Sequence, residues 1–111
     1  MITIDTEQAP GTAVVRPEGR LTMVTAPDLR AAVRRVVTAG RSRVVVDLSA
    51  TEFIDSSGLG AVIGGLKTAR QAGGDLRIAG AGEQVRMVLQ LTNLDRVLRA
   101  HPSVEEALRA G

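Results

Sequence analysis

The sequence predicts an α/β domain. Three observations carry that expectation: the compact β-branched run Val44-Val45-Val46, several stretches with apolar residues at helical spacing, and the alternation of these two signals along the chain. A run such as Val44 to Val46 marks a strand covered on both faces, and strands that alternate with helices call for a sheet with crossover helices.

The elements follow in order. Ile2 and Ile4, then Ala13, Val14 and Val15, suggest two strands, with Ala9-Pro10-Gly11 as the turn between them. Pro17-Glu18-Gly19 breaks the second, and Arg20-Leu21 forms a short third strand. Thr25-Ala26-Pro27-Asp28 reads as a helix start, with Thr25 as cap, Pro27 in the first turn and Asp28 as the capping-box acid. Leu29, Ala32, Val33, Val36 and Val37 keep helical spacing until Gly40. After the Val44–Val46 strand and a loop, a second helix is expected from Ser57 to Ala72, closed by Gly73-Gly74. Leu76 to Ala79 reads as a strand, Glu83 to Thr92 as a third helix and Val97-Leu98 as a short edge strand. Ser103-Val104-Glu105-Glu106 repeats the capping-box logic and opens a terminal helix. With no internal repeat and no linker, residues 1–111 read as one domain, and 111 residues suffice for an unaided core.

Composition closes off several functions. The chain has no cysteine, which excludes disulfide and thiolate chemistry, and a single histidine, His101, which excludes a multi-histidine metal site. Fourteen basic against twelve acidic residues leave a net charge of only +2, with no run of five like charges. Phe53 is the only aromatic residue, whereas single-stranded nucleic-acid binders stack bases on several rings. No apolar stretch approaches the roughly 20 residues of a membrane span, and the N-terminus, with Asp5 and Glu7, lacks a signal-peptide pattern. Cytoplasm is the expected compartment, without direct nucleic-acid binding or membrane insertion.

One segment is not explained by packing alone. Phe53-Ile54-Asp55-Ser56-Ser57-Gly58-Leu59-Gly60 follows a buried strand and opens a helix, where unpaired N–H groups and the helix dipole favour an anion. With Ser57 at zero, Leu59, Val62, Ile63 and Leu66 project at about 200°, 140°, 240° and 180°, an apolar stripe opposite the serine. Gly60, Ala61, Gly64 and Thr68, all small, fall on the side of Ser57 and are expected to form a low surface that another protein can approach. Each glycine of the Gly64-Gly65 pair costs about 1 kcal/mol in a helix interior, so close approach of something, a partner or a neighbouring element, should offset it. By itself, Ser56-Ser57 at a helix start is most often a plain capping pair.

Other chemistry fails on spacing. Gly58-Leu59-Gly60 continues to Gly64 and misses the dinucleotide fingerprint by one position, and Gly65-Leu66-Lys67-Thr68 lacks the Gly-Lys of a phosphate-cradling loop. A serine nucleophile would need His101 as its base, and His101 reads as an ordinary residue of the turn Ala100-His101-Pro102. Glu105 and Glu106 are adjacent and do not converge on one helical face.

Val44-Val45-Val46-Asp47-Leu48-Ser49 followed by Phe53-Ile54-Asp55-Ser56-Ser57-Gly58-Leu59-Gly60 resembles the bacterial anti-sigma-factor antagonists of the STAS group. Thr25-Ala26-Pro27-Asp28-Leu29 and Leu94-Asp95-Arg96-Val97-Leu98 support the resemblance, which covers roughly residues 10 to 110. It implies a mixed β-sheet with helices packed on one side. It also implies a binding module and not an enzyme; no cofactor or metal is expected, and a free monomer suits a protein that cycles between partners. In such proteins the second serine of the pair, here Ser57, is phosphorylated by a partner that is both serine kinase and anti-sigma factor. The unphosphorylated form binds that partner and frees the sigma factor, and a serine phosphatase resets the cycle. On this resemblance Asp55, Ser56 and Gly58 shape the site, while Gly60, Ala61, Gly64 and Thr68 supply contact surface. Many members carry Gly-Glu-Leu-Asp where this chain has Gly19-Arg20-Leu21-Thr22, so the surface near the serine, Thr22 included, is three charge units more positive. The same helix surface could instead dock a STAS subunit onto another assembly, such as a lipid-transport ATPase or a signalling complex.

Overall fold

The run Val44-Val45-Val46 is buried throughout, at 2%, 4% and 0% exposure, because its strand lies at the centre of a five-stranded sheet. In the computed structural model, which describes residues 1–110, the strands are β1 (Ile2–Asp5), β2 (Thr12–Pro17), β4 (Arg43–Asp47), β6 (Asp75–Ala79) and β7 (Arg99–His101), in the order β1-β2-β4-β6-β7. β1 runs antiparallel to β2, and the other pairings are parallel, so the sheet is mixed. Thr12 N donates to Ala9 O, and Gly11 has φ +71, which fits the expected turn between β1 and β2. A second, two-stranded parallel ladder joins β3 (Gly19–Leu21) to β5 (Thr51–Ile54).

Parallel neighbours need crossovers, and the helices α1 (Ala26–Thr38), α2 (Ser56–Gln71) and α3 (Glu83–Leu91) lie in them. Alternation along the strands sends Ala13, Val15, Val44, Val46, Leu76 and Ile78 to one face, where they share a core with Leu29, Val33, Val62, Leu66, Val85 and Leu89 of these helices. The expected one-sided packing therefore holds for the three long helices. The terminal α4 (Val104–Arg109) lies on the other face, where Ala107 meets Val14, Val45 and Ala79. Its cap is the expected one: Ser103 Oγ accepts from Glu106 N at 3.2 Å.

Several elements depart from expectation. Thr51–Ile54, read from the sequence as loop, is a strand. Its edge opposite β3 is closed by the side chain of Gln84, which accepts from Ile54 N at 3.0 Å and donates to Ile54 O at 3.1 Å. A four-residue strand completed by a side-chain amide leaves no long periodic signature. Thr25 does not cap α1 with its side chain. Its Oγ1 donates to Arg20 O at 2.8 Å and accepts from Thr22 N at 2.9 Å, tying the loop between β3 and α1. The expected edge strand at Val97-Leu98 is displaced to Arg99–His101. A 3₁₀ turn at Leu94–Arg96 precedes it and lets Leu98, 1% exposed, plug the core from outside the sheet. His101 accordingly closes a strand and does not sit in a turn.

Candidate partner-binding site

β3 and β5 run in parallel to the same end, and the chain leaves β5 directly into α2. Asp55 is the hinge. Its backbone N–H donates to Leu21 O at 3.2 Å, its carbonyl accepts from Leu59 N at 2.9 Å, and its carboxylate Oδ1 accepts from Gly58 N at 2.9 Å. The helix thus begins at Ser56 with Asp55 as cap. That assignment frees the two serines. Ser56 is exposed and Ser57 half-buried, and neither hydroxyl has a hydrogen-bond partner among the described residues.

The helix is rotated from the expected orientation. Its buried residues are Gly58, Leu59, Ala61, Val62, Gly65, Leu66 and Ala69, while Ile63 is half-buried. This arc is turned by roughly 70° from the projected apolar stripe, so Ser57 sits at the margin of the outward face and not at its centre. Small residues cause the turn. A Cβ at Gly65 would lie 3.0 Å from Leu76 Cδ1 and 3.3 Å from both Val33 methyl groups, so the glycine lets α2 settle closely between β6 and α1. At Gly58 a Cβ would strike the Leu21 carbonyl oxygen.

Ala61, expected on the contact surface, is instead wholly buried at 0% exposure and packs in the core, where no partner reaches it. Gly60, Gly64 and Thr68 are half-exposed along the outward edge. Thr68 Oγ1 donates back to Gly64 O at 3.0 Å. The expected low surface is also partly covered: Arg30 of α1 lies along it, with Nη2 placed 3.3 Å from where a Gly60 Cβ would be and Nε 3.9 Å from a Gly64 Cβ. A hollow of about 130 Å³ lies among Arg30, Arg34, Gly64, Gly65 and Thr68. Arg30 left no signal in the sequence, because its reach across α2 depends on how the two helices pack.

Thr22, half-buried, follows Leu21 and so stands beside the start of α2. The two residues after it are more conspicuous. Met23 and Val24 are 73% and 80% exposed on the same loop, an apolar pair outside any periodic element, which is the signal that could have singled them out. Arg20 stacks its guanidinium 4.5 Å from the centre of the Phe53 ring, placing a fixed positive charge beside the β5 end of the site. The serine and the histidine are not brought together. His101 is the register partner of Ala79 and shares its face of the sheet, the α4 face, whereas α2 packs on the other. No cluster of three metal-ligating side chains occurs among the described residues.

With this geometry established, comparison with known proteins is decisive for the family. The STAS domain profile matches residues 3–107. The chain belongs to the STAS domain family. Among solved structures, an anti-sigma factor antagonist from Mycobacterium paratuberculosis aligns with a TM-score of 0.84 at 34% identity, covering 99% of this chain and 93% of that one. The anti-sigma-F factor antagonist RsfB of Mycobacterium tuberculosis is 29% identical over 109 residues, 96% of this chain and 87% of that protein. A Thermotoga maritima protein provisionally named an anti-sigma factor antagonist is 36% identical over 69 residues, 62% of this chain, and the match spans 61% of that relative's length. Within this STAS domain, the Asp-Ser-Ser-Gly segment is the junction described above, at the end of β5 and the start of α2. No helix among the described residues is long and apolar enough to cross a membrane.

Proposed function

We propose that this STAS domain is an anti-sigma-factor antagonist, a cytoplasmic binding module and not an enzyme, acting as one unit over residues 1–111 and as a monomer when free. Its partner is an anti-sigma factor that is also a serine kinase; Ser57 is the phosphate acceptor, and a serine phosphatase restores the binding form. The observation that carries the reading is the capping of α2 by Asp55, which leaves the Ser57 hydroxyl unbonded at a helix N-terminus. The names of the relatives support the general role.

The physics of the switch is local. A phosphate on Ser57 adds between about 1.5 and 2 negative charges at neutral pH. The N-terminal dipole of α2 tolerates that charge, so the domain stays folded. A partner seated on Ser56, Gly60, Gly64, Thr68 and the exposed Met23-Val24 pair meets bulk and charge beside Asp55 and is displaced. Arg20, with Thr22 in place of an acid, makes the partner's matching surface more acidic than that of partners of the Gly-Glu-Leu-Asp proteins.

Intact mass of the protein from its native host, beside Ser57→Ala, tests the reading. One added phosphate in the wild type, absent from the variant, is expected, together with capture of the anti-sigma factor by the unphosphorylated form alone. Because the hydroxyl makes no bond, Ser57→Ala should fold with stability within about 0.5 kcal/mol of wild type. Equal capture of the kinase by both forms would overturn the switch. Absence of phosphate under growth and stress would favour the docking-subunit role.

A further inference from the structure

Two distances fix the direction in which Arg30 lies over α2. Its Nε is 3.9 Å from where a Gly64 Cβ would be, and its Nη2 is 3.3 Å from where a Gly60 Cβ would be. Gly60 precedes Gly64 by about one turn, so the guanidinium points along α2 toward the end that carries Ser57. With Ser57 at zero, Gly64 projects at about −20° and Gly60 at about −60°, which puts the serine and both glycines on one stripe. Residues three apart on a helix have Cβ atoms about 5–6 Å from each other, so Nη2 lies within about 9 Å of the Ser57 Cβ. Gly60, between them on the stripe, has no side chain to obstruct the path.

This guanidinium is uncommitted. Arg30 is exposed, and its side chain takes part in no ion pair or hydrogen bond among the described residues. The nearby Asp55 carboxylate is turned to Gly58 N instead. Arg34, one turn further along α1, is likewise exposed and outside every ion pair, and it lines the same hollow with Arg30, Gly64 and Thr68. Like charges at that spacing on a helix repel, which favours an anion beside them. The outer edge of α2 therefore has a cation aimed at its serine and no counter-charge in place.

Given Ser57 as the phosphate acceptor, on which this step rests, we propose that the phosphate is held within the domain by Arg30. A guanidinium fork takes phosphate oxygens in pairs, and the phosphate extends well beyond the serine hydroxyl. Rotation of the exposed Arg30 side chain closes the remaining gap, without backbone movement. Arg30 then leaves its place against Gly60 and Gly64. The modification thus does two things at once: it adds an anion at Ser57 and withdraws a cation from the surface on which an acidic partner would sit.

The test uses the full chain with phosphoserine incorporated at position 57 during synthesis, so that pairing is read independently of any kinase. Phosphorus NMR follows the second ionisation of the phosphate, which ordinarily has a pKa of about 6. An opposite charge alongside favours the dianion, so this pKa should be lower in the wild type than in Arg30→Gln by about half a unit or more. Arg35→Gln, on the same helix but outside the hollow, should match the wild type. The dipole of α2 acts alike in all three proteins, so the difference isolates Arg30. Arg30→Lys keeps the charge without the fork and should retain part of the shift. Melting followed by circular dichroism gives a second readout: phosphorylation should raise the melting temperature of the wild type relative to its effect on Arg30→Gln. The unmodified Arg30→Gln should melt as the unmodified wild type, because the side chain has no bond to lose. Equal ionisation in the wild type and Arg30→Gln, or an equal effect of phosphorylation on their melting, would overturn the assignment. Loss of the shift in Arg35→Gln as complete as in Arg30→Gln would also overturn it, by reducing the effect to net charge. An unmodified Ser57 in the native host would remove the acceptor itself, and the pairing with it, whereas equal ionisation removes the pairing alone.

Discussion

The two sides of α2 carry the same kinds of residue for opposite reasons. Toward the core, Gly58, Ala61, Gly65 and Ala69 are small because β3, β6 and α1 crowd them: a side chain at Gly58 would collide with the Leu21 carbonyl, and one at Gly65 would press on Leu76 and Val33. Toward solvent, Gly60 and Gly64 have nothing from the core against them, only the guanidinium of Arg30. Mid-helix glycine is unfavourable on both sides. On the inner side tight packing offsets that cost. On the outer side only the Arg30 side chain lies against them within the domain, and this fits a surface shaped for something outside it.

Substitutions can break or sharpen this contrast. The largest effect is expected at Gly58→Ala. Its new methyl meets backbone, which cannot move aside as a side-chain tip can, and a loss of about 3 kcal/mol is expected. That corresponds to a fall of roughly 10 °C or more in melting temperature. Far-UV circular dichroism is the suitable readout, because the chain has no tryptophan or tyrosine. A stability near wild type would show that β3 and α2 are not as close as described.

Next in size is Asp55→Ala, which removes the acceptor for Gly58 N and should cost about 1–2 kcal/mol in chemical denaturation. Asp55→Asn, which keeps an acceptor oxygen, should recover most of that loss. If Asp55→Ala were neutral, the serines would be capping the helix after all, and Ser57 would lose its claim to be uncommitted.

The smallest effect is also the most discriminating. Gly64→Ala places a methyl in ordinary contact with Arg30 and gains helix propensity, so it should stabilise the domain by about 1 kcal/mol. Its neighbour Gly65→Ala gains the same propensity but must displace Leu76 and Val33, and its melting temperature should stay at or below that of wild type. Gly64→Ala should at the same time weaken capture of the anti-sigma factor. Equal stabilisation by the two substitutions would erase the distinction between the faces.

Much of the architecture was legible in one dimension. Val44 to Val46 announced a doubly covered strand, Pro27 and Gly40 bracketed α1, and Ser103 with Glu106 marked the start of α4, because each signal acts within a few residues of itself. The misreadings share the opposite property. The strand Thr51–Ile54 exists through pairing with β3 and through the Gln84 side chain thirty residues away. The displaced β7 follows from Leu98 being drawn into the core, and Thr25 chose Arg20 and Thr22 over its own helix.

The candidate site divides in the same manner. The segment Asp55-Ser56-Ser57-Gly58 was conspicuous by itself, since acid and hydroxyl residues between a strand and a helix can only be cap, anion site or both. Which residue caps, whether Ala61 faces in or out, and what lies over Gly60 were not open to periodicity. A helix bearing small residues on several faces has no single apolar direction, so its rotation is set by what it packs against. The sequence by itself determined the alternation of strands and helices, the exclusion of thiol and multi-histidine chemistry, and the place of the serine pair at a helix start. Tertiary packing decided that Asp55 takes the cap, that Ala61 is buried, and that Arg30 lies along the outer glycines. Those outcomes depend on helix rotation and strand register, which are set by contacts between residues distant in the chain.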